Sequence, residues 1–142
     1  MKSYVEHANI TVIDAEHTVG LLLAALPDWS IRGEGRTDDW FGKPMRWYHV
    51  GTEESYITIQ DGGEGEARTW QQPWVGVKHI GIVVDDVKKT ISRLEAAGYP
   101  LDHMGGEHPH RQSAYFQDKH HVQFEFVEYF SELARERNDY QL

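Results

Sequence analysis

Two histidines and a glutamate are the residues of this chain best spaced to bind a metal ion. His7 and His79 each begin a run in which apolar and polar residues alternate, and the two runs lie seventy-two residues apart. Glu125 lies between Phe124 and Phe126 in a later alternating run. Two neutral imidazoles and one carboxylate are the ligand set that holds Fe(II) or Mn(II) and leaves coordination positions open. The spacing therefore predicts an open metal centre.

Strand alternation determines which face each of these side chains shares. Successive side chains of a β-strand point to opposite faces, so His7 shares a polar face with Asn9 in a strand predicted over 4–13. The same parity puts His79, Thr58 and Glu125 on the polar faces of three further strands. Because threonine is a poor ligand, we expect three ligands rather than four.

Each histidine strand is followed by an aspartate that suits a helix N-cap. Asp14 precedes apolar residues at helical spacing, and Asp85 or Asp86 precedes a second such pattern that stops at Gly98. Three strands follow each helix, so each half reads strand, helix, strand, strand, strand. In the first half we expect a strand over 29–36 and then a loop made by Gly33, Gly35, Asp38, Asp39, Gly42 and Pro44.

The repeat predicts a single domain made of two modules. They span about 4–61 and 74–128, with a polar linker over 62–73 and a C-terminal helix over 129–138. If the modules are related by a pseudo-two-fold axis, their polar faces converge on one site.

Charge and composition restrict the partners. Fourteen basic against twenty-three acidic residues give a net charge of -9, which disfavours nucleic acid and anionic membranes. The chain has no cysteine, so a thiolate metal site and a disulfide are impossible. No stretch approaches the roughly 18 apolar residues of a membrane span. We expect a cytoplasmic protein that binds a small molecule.

The order of elements is similar to that of a known family. The doubled pattern, with His7, His79 and the Phe124-Glu125-Phe126 strand after a turn at 115–118, resembles the vicinal oxygen chelate superfamily. That group includes glyoxalases, extradiol dioxygenases and bleomycin or fosfomycin resistance proteins. The resemblance implies an α+β fold in which two βαβββ modules form a curved mixed sheet, or cup, with helices outside. It also implies ligands on the first and last strands of each module, which here carry His7, Thr58, His79 and Glu125.

The resemblance leaves the reaction open. Glyoxalases have a carboxylate or glutamine ligand where this chain has Thr58. Extradiol dioxygenases use two histidines, a glutamate and a tyrosine ten residues before it, as Tyr115 stands before Glu125, but they mostly carry four modules. The implied enzyme is a metal-dependent lyase or isomerase, or an extradiol-type dioxygenase. Its ion would be Fe, Mn, Zn, Ni or Mg, and would polarise two adjacent oxygens of a substrate.

Proton transfer and substrate binding need further residues. We predict Tyr115, His121 and Glu125 as catalytic groups, with Glu125 a ligand that can detach. The predicted pocket residues are Asn9, Tyr48, Tyr56, Thr58, Gln60 and Gln123.

A metal-free function is the alternative. On the same scaffold, a drug-resistance-like protein would sequester a planar compound without chemistry, and Thr58 favours this interpretation. With either function the resemblance implies a homodimer.

Overall fold

The fold consists of two compact units, each built around one four-stranded sheet. The computed structural model describes residues 1–141. The N-terminal unit spans Met1–Ala67 and the C-terminal unit begins at Arg68, within the stretch predicted as the linker. The elements of the N-terminal unit are β1 His7–Thr11, α1 Ala15–Ala25, β2 Ser30–Trp40, β3 Lys43–Gly51 and β4 Tyr56–Gln60. Those of the C-terminal unit are β5 Ile80–Val83, α2 Val87–Ala96, β6 His103–Met104, β7 Arg111–Gln117, β8 Gln123–Tyr129 and α3 Ala134–Arg137.

Both sheets have the same topology. The N-terminal sheet has the order β1-β4-β3-β2 and the C-terminal sheet the order β5-β8-β7-β6. In each, the first strand pairs in parallel with the last and the other pairings are antiparallel. A parallel pairing between the first and last strands requires a long crossover connection, which α1 or α2 and the two middle strands supply. The α+β fold with two βαβββ modules, which the family resemblance implied, is confirmed.

The N-terminal core lies between α1 and the sheet. The Asp14 carboxylate begins the helix by accepting a hydrogen bond from the His17 backbone amide at 3.2 Å. Leu21 and Leu22 are fully buried on α1, as are Val50 and Ile59 on the strands.

The C-terminal core repeats this arrangement with aromatic residues. The Asp86 carboxylate caps α2 by accepting from the Lys89 amide at 3.0 Å. Gly98 then takes a φ of +92°, the left-handed conformation that glycine adopts readily after a helix. Leu94 on α2 is fully buried, as are three phenylalanines of the sheet, Phe116, Phe124 and Phe126.

One strand carboxylate joins the start of α2 to the sheet. The Glu128 side chain of β8 accepts hydrogen bonds from the Val87 amide and from the Gln112 side chain of β7, each at 2.9 Å. An otherwise unpaired amide of the first helical turn is thereby satisfied.

Two elements differ from the prediction. Strand β2 continues to Trp40, whereas a loop was predicted, because Gly33 and Gly35 lie under the Trp47 ring of β3 rather than in a turn. The turn itself lies at Phe41 and Gly42, both with positive φ.

The predicted C-terminal helix over 129–138 is also wrong in extent. Tyr129 extends β8 by pairing with Arg111, so only the single turn Ala134–Arg137 remains helical. Among residues 1–141, no helix is both long and apolar enough to cross a membrane.

Candidate functional site

The chemically active side chains of the C-terminal unit lie on one face of its sheet. Gly81, Glu125, Tyr115 and His103 are cross-strand neighbours on β5, β8, β7 and β6, in that order. His79 immediately precedes β5 and has the same parity as Gly81. Strand alternation keeps these side chains on the side away from the buried phenylalanines. We call this row the C-terminal polar face.

His79 and Glu125 form the closest pair of predicted metal ligands on this face. The Nε2 atom of His79 lies 3.0 Å from Oε2 of Glu125, and the side chains are 36% and 19% exposed. Gly81 is the cross-strand neighbour of Glu125, and a Cβ atom there would be in ordinary van der Waals contact with Oε2 at 3.8 Å. An imidazole nitrogen and a carboxylate oxygen that face each other at this distance are suited to share either a proton or a divalent ion.

Tyr115 is held in its neutral form. Burial raises its pKa to about 12, and the hydrogen bond to Glu125 and the charge of that carboxylate add to the effect. The phenol therefore keeps its proton at neutral pH and donates a hydrogen bond to the Glu125 carboxylate. Its ring also meets His79 edge to face, with centroids 5.4 Å apart. The structure brings together three of the predicted residues: Tyr115, Glu125 and His79.

His103 and Asp102 belong to the same face but were missed from the sequence. Nδ1 of His103 lies 2.5 Å from Oδ2 of Asp102, and its ring stacks on Tyr115 with centroids 4.4 Å apart. Strand β6 has only two residues, too few to show an alternating pattern. The adjacent Asp-His pair was the only available signal.

The N-terminal unit presents a face made mainly of rings. The Tyr56 ring stacks between His7, at 4.9 Å, and His49, at 4.6 Å, while Trp47 lies 4.8 Å from His49. The guanidinium of Arg32 lies 4.2 Å from the centre of the Tyr56 ring. We call this row the N-terminal polar face.

The other predicted residues of this unit lie beside the rings. Thr58 is in register with Asn9 on one side and His49 on the other, and only 7% of it is exposed. Gln60 follows on the same face and accepts a hydrogen bond from Thr11 at 3.4 Å. Nδ1 of His7 is 2.9 Å from Oε1 of Glu6, an arrangement that fixes the ring through its second nitrogen.

His49 is a further residue missed from the sequence. Tyr48 was predicted to line the pocket, but it is His49 that pairs with Thr58 as Tyr115 pairs with Glu125. Tyr48 is in register with Ile59 instead, on the helix side of the sheet. Burial lowers the pKa of His49, and the charges of Arg32 and His7 lower it further, so this ring is neutral at pH 7.

The sequence matches the Glyoxalase/Bleomycin resistance protein/Dioxygenase superfamily over residues 5–126. The chain belongs to this superfamily. The resemblance to the vicinal oxygen chelate superfamily, stated above from the sequence, is thereby confirmed. No match was found among curated proteins.

Solved structures of superfamily proteins have the same fold. A glyoxalase family protein from Bacillus cereus is 14% identical with a TM-score of 0.70, covering 89% of this chain and 94% of that one. A glyoxylase/bleomycin resistance protein/dioxygenase domain from Frankia is 22% identical, with a TM-score of 0.68 and coverage of 91% and 99%. The fosfomycin resistance protein FosX from Listeria monocytogenes, complexed with Mn(II) and sulfate, is 18% identical, with a TM-score of 0.63 and coverage of 98% and 100%.

Two predicted residues of this superfamily member lie near the turn before β8. His121 takes a φ of 72°, and its Nδ1 lies 3.1 Å from Oε1 of Gln117. Gln123 is in register with Gln117 and shares its strand face with Glu125. Only 4% of Gln123 is exposed, and its Nε2 is a buried donor with no hydrogen-bond partner among residues 1–141. A buried amide of this kind is suited to a ligand oxygen.

A separate open groove lies at the other end of the C-terminal sheet. Its volume is about 710 Å³, and it is lined by Met104, the loop over 105–109, the start of β7 and Phe130. His79, Tyr115 and Glu125 are not among its lining residues. The loop is held by His108, whose Nε2 is 3.0 Å from the Asp139 carbonyl oxygen.

The metal ligands expected in this superfamily member are divided between the units. His79 and Glu125 are paired in one unit and His7 belongs to the other. Among residues 1–141, no three histidine, aspartate or glutamate side chains are grouped closely enough to form a complete metal site.

Proposed function

We propose that this protein is a metal-dependent enzyme that acts on a small molecule with two adjacent oxygens. The observation that carries the proposal is the facing pair of His79 Nε2 and Glu125 Oε2, 3.0 Å apart. The FosX relative complexed with Mn(II) supports a divalent ion in the superfamily.

His79 and Glu125 of the C-terminal unit would hold a divalent ion through one imidazole nitrogen and one carboxylate oxygen. His7, the third predicted ligand, belongs to the N-terminal unit. When bound, the ion would supply Lewis acidity that stabilises negative charge on a substrate oxygen. The buried Gln123 amide is suited to orient another oxygen of the substrate.

Hydrogen bonds from neighbouring side chains would orient the predicted metal ligands. Tyr115 donates to Glu125 and keeps its own proton, since its pKa is raised to about 12. Its hydrogen bond would orient the carboxylate, and Glu6 would orient His7 in the same way. The rings around Tyr56 would give the N-terminal unit its own surface for an apolar or planar group.

Metal content is the direct test. Protein purified without a histidine tag should hold a divalent ion at close to one per chain, measured by elemental analysis. The His7→Ala/His79→Ala double variant should lose it, whereas His110→Ala, a change outside both polar faces, should not. Equal trace metal in the wild type and the double variant would rule out the metalloenzyme.

A metal-free binding protein is the second candidate, and the N-terminal polar face favours it. Four rings there contact one another in sequence, and Thr58 offers no strong ligand. Protein treated with a chelator should then still bind planar aromatic compounds and change its tryptophan fluorescence. Flat titrations over a broad panel would contradict this candidate.

We also infer a cytoplasmic homodimer, since superfamily members commonly pair two chains. Sedimentation velocity should give twice the chain mass of 16.4 kDa. A species of single-chain mass at micromolar concentration would contradict the dimer.

A further inference from the structure

The Asp102-His103 pair has the geometry of an oriented proton acceptor. Oδ2 of Asp102 lies 2.5 Å from Nδ1 of His103. An ionised carboxylate only accepts hydrogen bonds, so in the neutral form of the imidazole this contact selects the tautomer with the hydrogen on Nδ1 and the lone pair on Nε2. The backbone amide of Asp102 also donates to the Tyr115 carbonyl oxygen at 2.9 Å, which fixes the carboxylate relative to β7.

Two rings clamp the imidazole on both of its flat sides. Tyr115 stacks on His103 at 4.4 Å with 3° between the planes, and Trp70 stacks on it at 4.4 Å with 20°. The His103 side chain is nevertheless 30% exposed. Stacking on both sides restricts rotation of the ring, and a proton acceptor needs both a fixed ring and access for the substrate.

The other candidates on the C-terminal polar face are already engaged. Tyr115 is no base at neutral pH, because its pKa is raised to about 12. Glu125 accepts from Tyr115 and faces His79. His103 is one strand further along the same row, in register with Tyr115.

We propose that His103 is the catalytic base of this protein and that Asp102 is its positioning residue. This proposal rests on the proposed function and deepens it. A substrate hydroxyl gives its proton to Nε2 of His103, while the electron pair of the broken O–H bond stays on the substrate oxygen. The imidazolium that forms is stabilised by the Asp102 carboxylate, and the same proton returns to the product.

The first test needs neither metal nor substrate. In ¹⁵N-labelled protein at neutral pH, long-range ¹H–¹⁵N spectra should give His103 as the tautomer protonated on Nδ1. Asp102→Ala should convert His103 to a mixture of tautomers, whereas Asp38→Ala, an exposed aspartate bound to Arg36, should leave it unchanged. A ring protonated on Nε2 in the wild type would overturn the assignment.

The second test measures proton loss from a bound probe. 4-Nitrocatechol has two adjacent hydroxyls, and its absorption shifts to longer wavelength as each loses its proton. Protein loaded with Mn(II) should bind it fully deprotonated, and His103→Gln should weaken that binding at least about tenfold and leave one hydroxyl protonated. His110→Gln is the matched control and should behave as the wild type.

The outcomes separate the two proposals. If the wild type loaded with Mn(II) does not bind the probe, the proposed metal function fails. If the wild type and His103→Gln bind the same deprotonated probe equally well, the metal function stands and His103 is not the base. Circular dichroism of each variant, together with the more conservative Asp102→Asn, tests whether a loss reflects unfolding instead.

Discussion

The two polar faces use one strand arrangement for different chemistry. In the N-terminal unit, Thr58 lies between Asn9 and His49, whereas in the C-terminal unit Glu125 lies between Gly81 and Tyr115 at the equivalent positions. The first face is a row of rings in contact, and the second centres on a carboxylate paired with a histidine. The fully buried strand residues that face the helices, such as Ile59 and Phe126, are apolar in both units. A duplicated sheet can therefore change its polar face without loss of its core.

The largest expected effects concern the two cores. Phe124 and Ile57 are equivalent residues on β8 and β4, with 0% and 3% exposed. Phe124→Ala should lower the free energy of unfolding by about 3–5 kcal/mol and Ile57→Ala by about 2–5 kcal/mol, because each leaves a cavity. Urea denaturation followed by circular dichroism measures both. A loss under about 1 kcal/mol in either would mean that its unit is loosely packed.

Metal binding should distinguish Glu125 from Thr58. Glu125→Gln should weaken Mn(II) binding by about a hundredfold, roughly 2.7 kcal/mol, because the ion loses its only carboxylate ligand. Thr58→Val keeps the shape of a buried residue and should change the affinity less than about twofold. Isothermal titration calorimetry gives both constants, and equal losses would show that the Glu125 carboxylate is not a ligand of the ion.

The helix caps should respond alike in the two units. Asp14→Ala and Asp86→Ala each remove one carboxylate that accepts from a first-turn amide. Each should cost about 0.5–2 kcal/mol in the free energy of unfolding. Because the two caps are equivalent in the repeat, we expect the two losses of unfolding free energy to be equal. If thermal denaturation gives losses that differ by well over about 2 kcal/mol, one helix depends on contacts that the other lacks.

The effects of titration on stability are the smallest near neutral pH, and they appear on opposite sides of it for the two faces. His49 makes stability depend on pH on the acid side, and Tyr115 makes it do so on the alkaline side. The lowered pKa of His49 means that the unfolded chain takes up the proton first, so stability falls as the pH drops below about 6.5. The raised pKa of Tyr115 means that the unfolded chain loses its proton first, so stability falls as the pH rises from about 10 to about 12.

Variants isolate these two contributions. His49→Gln should flatten the acid side of a plot of urea midpoint against pH, and Tyr115→Phe should flatten the alkaline side. Each should leave the opposite side of the plot unchanged. A variant that shifts the whole curve without altering either slope would show that its side chain acts by packing alone.

Sequence patterns predicted the elements whose signals are local. Alternation found β1 and β5, and the aspartates before α1 and α2 marked where those helices begin. The glycines of β2 misled the prediction because their role is to fit under the Trp47 ring, a contact between strands. His49 was missed because only the pairing of β3 with β4 decides which of two adjacent aromatic residues shares a face with Thr58. His103 was missed because a two-residue strand shows no period.

The hydrogen bonds of Glu128 have a consequence for how the C-terminal unit folds. Its carboxylate satisfies the Val87 amide only when β8 lies in one register beside β5 and β7. A slip of β8 by one residue would turn Glu128 to the opposite side of the sheet and leave the helix amide without its acceptor. The hydrogen bond at the start of α2 thus stabilises the register of β8 that brings Glu125 to His79. A chain with β8 in another register loses this hydrogen bond and is less stable.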